Sequence, residues 1–247
     1  MGKKRHDLPA GNILMRRLIT PLCLLMTLCL LPVNNVATAS SVLSSELTHI
    51  TQLYSEPIPI TERRLAVGIG TVATLLALDE PLYSATKPVQ DHLFQAAREF
   101  SFLVETPSLF ALTCLLYKAD PITTKLATRA LVFTGLNTLI LKSALGMSRP
   151  NVGPSSVFVG PCFDDDYAAM PSGHTAIAFT LATVLSDRYP KYRTMLYTAA
   201  SLVGVSRVVL GKHWPSNVAA GAFLGVLWAK HVLEQNQSPA LSPEQQR

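Results

Sequence analysis

Three short segments carry residue types and spacings suited to handling a phosphoryl group. The first is Lys142 to Pro150, reading KSALGMSRP, where Lys142 and Arg149 stand seven positions apart. Seven residues make about two helical turns, so on a helix both cations share a face, with Pro150 ending or redirecting it. Read alone, the segment is more simply an ordinary basic helix end. The second, Met170 to Phe179, puts Pro171, Ser172 and Gly173 just before an apolar run. A helix starting there points free N–H groups outward, with Gly173 admitting an anion closely and His174 in the first turn ready to give a proton to a leaving oxygen. A plain helix cap with an incidental histidine fits the same four residues. The third, SRVVLGKHWPSN from Ser206 to Asn217, places Arg207 at a helix end, Gly211 as its stop, His213 in the turn and Pro215 at the next helix start. That order brings Arg207 and His213 into one pocket, although a loop histidine beside a solvated arginine is the bland alternative.

Taken together, the segments resemble the type 2 phosphatidic acid phosphatase family, which also includes bacterial acid phosphatases, lipid pyrophosphatases and vanadium haloperoxidases. The family pattern is Lys, six residues, Arg-Pro; then Pro-Ser-Gly-His; then Ser-Arg, five residues, His, three residues, Asp. Here it is met by Lys142, Arg149 and Pro150, by Pro171, Ser172, Gly173 and His174, and by Ser206, Arg207 and His213, with Asn217 where the family has aspartate. The resemblance implies that His213 attacks phosphorus to form a phosphohistidine, while His174 protonates the leaving oxygen and later activates water. It implies further that Lys142, Arg149 and Arg207 hold the phosphoryl oxygens, with Ser172 and the Gly173 N–H. Such a site stabilises charge and aligns the displacement without a metal or cofactor. His6, His49, His92 and His231 form no ligand-like spacing.

Asn217 is the departure. The family aspartate orients the nucleophilic histidine and balances its charge. An amide can still accept the ring N–H through its carbonyl oxygen, but the full negative charge is gone. In the serine-protease triad the same swap costs about 10⁴ in turnover. Two compensations are open, the anionic substrate itself or a carboxylate from the run Asp164, Asp165 and Asp166; the bland alternative is a purely structural Asn217 at a helix start next to Ser216.

These motifs need elements to hold them. The 247 residues are 49% hydrophobic and 15% charged, against roughly 25% charged in soluble domains, which leans toward membrane association. Uncharged runs at 65–78, 106–117, 130–141, 175–186, 194–206 and 214–229 exceed strand length, predicting an all-α bundle of about six core helices over residues 65–234. Most are shorter than the 17 to 25 residues of a comfortable span. Residues 1–39 read as a signal peptide, with a basic leader, an apolar run and Ala37-Thr38-Ala39 before Ser40, or as a retained anchor. Residues 40–64 read as a polar lead-in outside the core, and residues 235–247 as a disordered tail. Five of the 21 basic and one of the 16 acidic residues lie in the signal, so the formal +5 becomes +1 in the mature chain, giving no electrostatic reason to expect nucleic-acid binding. Cys114 and Cys162 remain there, too few to define a disulfide framework. The stretch from Asn151 to Met170 is long for an internal loop and is expected at the pocket mouth, with Phe158 and Phe163 as apolar contacts.

The expectation is thus an exported enzyme of the bacterial cell envelope, membrane-associated with its pocket facing outward. Its partners would be the membrane and a lipid phosphate or pyrophosphate such as undecaprenyl pyrophosphate, phosphatidate or a lipid A phosphate. A soluble periplasmic acid phosphatase, a vanadium haloperoxidase and a non-catalytic phosphate-binding relative are the alternatives.

Overall fold

The computed structural model describes residues 36–58, 60–102, 105–153 and 155–237. All regular elements among them are helical: α1 (Val36–Ser55), α2 (Glu62–Ala77), α3 (Asp79–Phe102), α4 (Thr106–Ala119), α5 (Pro121–Leu145), α6 (Gly173–Arg188), α7 (Arg193–Val209) and α8 (Pro215–Gln237). The six apolar runs become α2 and α4 to α8. Two further helices were not foreseen, α1 and the polar α3, which has Pro88 inside it.

At the centre, α6 packs against α5, α7 and α8, while α3 lies along α7 and α2 along α8. The main core joins Leu126, Ala130 and Phe133 of α5, Leu181 and Val184 of α6, and Ala229, Val232 and Leu233 of α8. Close approach of α8 to the start of α6 depends on Gly221, where a Cβ would stand 2.5 Å from the Ser172 carbonyl oxygen. That contact lets the second and third motifs share one site.

The lead-in reading is corrected for α1. Leu53 joins the main core, and the Leu53 carbonyl accepts Nε2–H of the buried His231 at 2.8 Å. Glu46, 4% exposed, makes a two-pronged ion pair with Arg129 of α5, at 2.6 and 2.8 Å. Burial alone would raise the Glu46 carboxyl; the Arg129 hydrogen bonds and charge override it and hold it below its ordinary value. Polarity hid this helix because its inward face carries a carboxylate whose partner lies far along the chain.

Most of the signal region lies outside the described residues, and Val36 to Ala39 form the first turn of α1. Of the expected tail, residues 235–237 complete α8 and residues 238–247 lie outside the described part. Cys162 is a free thiol, while the side chain of Cys114 is outside the described part. Among the described residues no single helix is long and apolar enough to cross a membrane; α2 and α3, bent at 66° to each other, pass that test only as a pair.

Candidate active site

Lys142 lies in the last turn of α5, which stops at Leu145 because Gly146 adopts a left-handed conformation with φ 55°. A Cβ there would stand 1.9 Å from the Gly160 carbonyl oxygen, so both the turn and the packing demand glycine. Arg149 therefore is not on the helix. The shared helical face expected of Lys142 and Arg149 is replaced by a turn that folds the chain after Gly146 back along the 151–170 loop. Two hydrogen bonds fasten it, from Val159 N to Gly146 O at 3.0 Å and from Ser148 N to Val157 O at 2.8 Å.

Ser172 caps α6 and is fully buried, its Oγ accepting from Thr175 Oγ1 at 2.9 Å. Gly173 and His174 open the helix. Gly173 sits beside Lys142, whose Cε would lie 3.8 Å from a Cβ at that position. The third motif closes through a turn in which the N–H groups of Lys212 and His213 both return to the Arg207 carbonyl, at 3.0 and 3.2 Å. Gly211, at φ 64°, makes the turn possible.

The outcome is a buried histidine ringed by basic groups. His213 is 3% exposed. Burial first, then Lys142, Arg149, Arg207 and His174, hold its pKa well below the ordinary histidine value, so the ring is neutral near pH 7. Arg207 is itself pulled down to about 10 by burial and by Arg149, against an opposing pull from Glu105. It remains charged at neutral pH. Its Nη1 donates to Ser101 Oγ of α3, whereas its Nε is buried without a partner. Arg149 donates through Nε to the Asp165 carbonyl at 2.7 Å and through Nη2 to the Asp165 carboxylate at 2.9 Å.

Asn217 behaves unlike the expected partner of His213. Its Oδ1 accepts from Trp214 N at 3.0 Å, tying down the start of α8, and its Nδ2 faces Met147 Sδ at 3.0 Å. His213 Nδ1 donates to the Ala169 carbonyl at 2.8 Å. The side chain thus takes the helix-start role, and the acidic run reaches Arg149 through Asp165. The 151–170 loop does border these residues, with Phe158 and Phe163 exposed.

Sequence reasoning missed two side chains. Ser101 holds Arg207, and Asp79, the first residue of α3, is completely buried and accepts from Ser216 N at 2.8 Å and Ser216 Oγ at 2.6 Å. Burial raises the Asp79 carboxyl, the Ser216 bonds oppose this, and the shift upward prevails. Both residues come from a polar helix outside the motifs.

A helical bundle that gathers cations around a buried histidine can be set beside known proteins. Residues 124–238, a little under half of the chain, match the PAP2 superfamily. The lipid A 1-phosphatase of Porphyromonas gingivalis is 39% identical over 97 residues, covering 36% of this chain and 22% of that protein. The non-specific acid phosphatase of Salmonella typhimurium is 44% identical over 57 residues, 23% of each chain. Among solved structures, Aquifex aeolicus LpxE superposes with a TM-score of 0.54 at 25% identity, over 64% of this chain and 95% of that one. The matched stretch spans well under two thirds of the lipid A 1-phosphatases, from 22% to 42% of their lengths.

Proposed function

We propose that the protein is an exported phosphatase that removes phosphate from lipid phosphates or diphosphates through a phosphohistidine at His213. The observation that carries this reading is the buried His213 with Lys142, Arg149, Arg207 and His174 acting on it. Cations gathered about a nucleophile suit a transferring phosphoryl group. The unpartnered Nε of Arg207 supports the same reading, because a buried donor without an acceptor is costly unless a ligand supplies one.

In the first step the Nε2 lone pair of His213 attacks phosphorus, the N–P bond forms and the P–O bond to the leaving group breaks. Protonated His174 gives its proton to the departing oxygen. In the second step neutral His174 takes a proton from water, the hydroxide attacks phosphorus, and the N–P bond breaks to release phosphate and His213. Lys142, Arg149, Arg207 and the N–H groups opening α6 hold the equatorial oxygens throughout. Relatives include a lipid A 1-phosphatase and a non-specific acid phosphatase, and exposed apolar side chains such as Val67, Ile69 and Phe94 on the bent α2–α3 pair favour an amphiphilic substrate.

The test is phosphate release from lipid A 1-phosphate, undecaprenyl pyrophosphate, phosphatidate and p-nitrophenyl phosphate by detergent-purified protein, with His213→Ala as control. One lipid is expected to exceed p-nitrophenyl phosphate at least about 100-fold in kcat/KM, with His213→Ala losing at least about 10³. Equal rates on all four would instead make it a broad acid phosphatase. Bound phosphate without turnover would make it a binding relative.

A further inference from the structure

One short strip of main chain holds most of the pocket. The Asp165 carbonyl accepts Arg149 Nε at 2.7 Å, the Asp166 carbonyl accepts Arg149 N at 2.9 Å, the Ala168 carbonyl accepts Lys142 Nζ, and the Ala169 carbonyl accepts His213 Nδ1 at 2.8 Å. The strip is itself anchored by Ala169 N donating to the Met147 carbonyl at 3.0 Å. Nothing in its side chains forecasts this, because the working groups are backbone.

We propose that the Ala169 carbonyl, and not the Asn217 side chain, is the positioning group for His213, so that this site orients its nucleophile with a neutral acceptor. The inference rests on the catalytic role of His213 proposed above. A ring that donates Nδ1–H to a carbonyl keeps the lone pair on Nε2, the atom that must attack. Asn217 Oδ1 already accepts the Trp214 N–H, and the His213 Nδ1–H that could use its second lone pair goes to the Ala169 carbonyl instead. Flipping the carboxamide would set its NH2 against that N–H, donor facing donor, so the network fixes the orientation. The buried carboxylate of Asp79 is likewise engaged, by Ser216 N and Oγ. No aspartate is therefore needed to set the tautomer, and the charge that develops on His213 is balanced by the phosphoryl group it attacks. A carboxylate at position 217 would lose the donor to Met147 Sδ and Ser216 Oγ without gaining the histidine.

The experiment follows the ring itself. Full-length protein carrying ¹⁵N-histidine, in detergent and without substrate, is titrated from about pH 5 to 8, with His213 assigned by its loss in His213→Gln. Lys142, Arg149, Arg207 and His174, the basic groups acting on the ring, stay unchanged. Wild type is expected as the neutral Nδ1–H tautomer, and Asn217→Asp and Asn217→Ser are expected to keep that tautomer with any midpoint moved by less than about 0.3 pH units. An Nε2–H tautomer in wild type overturns the proposal. So does Asn217→Asp raising the midpoint by about one to three pH units, as a carboxylate in contact would. Should the Asn217 variants fail to fold, an ester in place of the Ala169–Met170 amide weakens the Ala169 acceptor directly. Appearance of the Nε2–H form is then expected, and an unchanged ring overturns the assignment. Because the ring is read without substrate, an Nδ1–H signal in a protein that releases no phosphate would sink the proposed function alone.

Discussion

Arg207 shows how much a single side chain from outside the motifs contributes. Its guanidinium is steered by Ser101, so Ser101→Ala should leave the fold intact and lower kcat/KM by about tenfold, the scale of one hydrogen bond to a charged group. Steady-state kinetics on the preferred lipid check this. His213 makes a prediction about pH. Its folded-state pKa is depressed, so below the unfolded value of about 6.5 the unfolded chain takes up the proton more readily. The stability due to its neutral burial is present above that pH and is lost as pH falls, by at most about 1.4 kcal/mol per pH unit. Thermal melts from pH 7.5 to 5.5 should fall more steeply for wild type than for His213→Gln. The motif residues were legible because type, order and spacing constrain them jointly. Ser101 and Asp79 were not, since a serine and an aspartate in a polar helix carry no spacing that ties them to residues more than a hundred positions away. The rotamer of Asn217 was illegible for another reason: an amide suits a helix start and a histidine partner equally well, and only the position of the Ala169 carbonyl decides.

Among the elements, apolar runs identified the helices that bury an apolar face and failed for the two that bury polar ones. α3 keeps only Asp79, Ala97 and Ser101 buried, so its composition reads as solvent-exposed although it supplies both unforeseen contacts. The break after α5 was misjudged because Pro150 seemed the natural stop, whereas Gly146, in the left-handed region, ends the helix four residues earlier. Gly146→Ala should therefore be severe. The added methyl meets backbone at Gly160 as well as an unfavourable φ, and a loss of about 2 kcal/mol or more is expected in denaturant unfolding, together with loss of activity as Arg149 is displaced.

For the whole molecule, the family match begins at residue 124, yet the fold draws on residues well before it. α1 is fixed to α5 by Glu46 and Arg129 and to α8 by Leu53 and His231. Removing one partner leaves a buried charge uncompensated, so Glu46→Ala should cost about 3 kcal/mol or more. Glu46→Leu combined with Arg129→Met should recover most of that loss, because a buried ion pair is often replaceable by apolar groups of similar size. Chemical denaturation of the single and double variants checks both numbers.

That clasp also sets an order of events during synthesis. α1 emerges from the ribosome before α5 and α8 exist, with Glu46 waiting for a residue 83 positions later and the Leu53 carbonyl for one 178 positions later. Contacts of such long sequence separation form late. Until α5 and α8 are complete, the first described helix to be made thus lacks the partners that hold it.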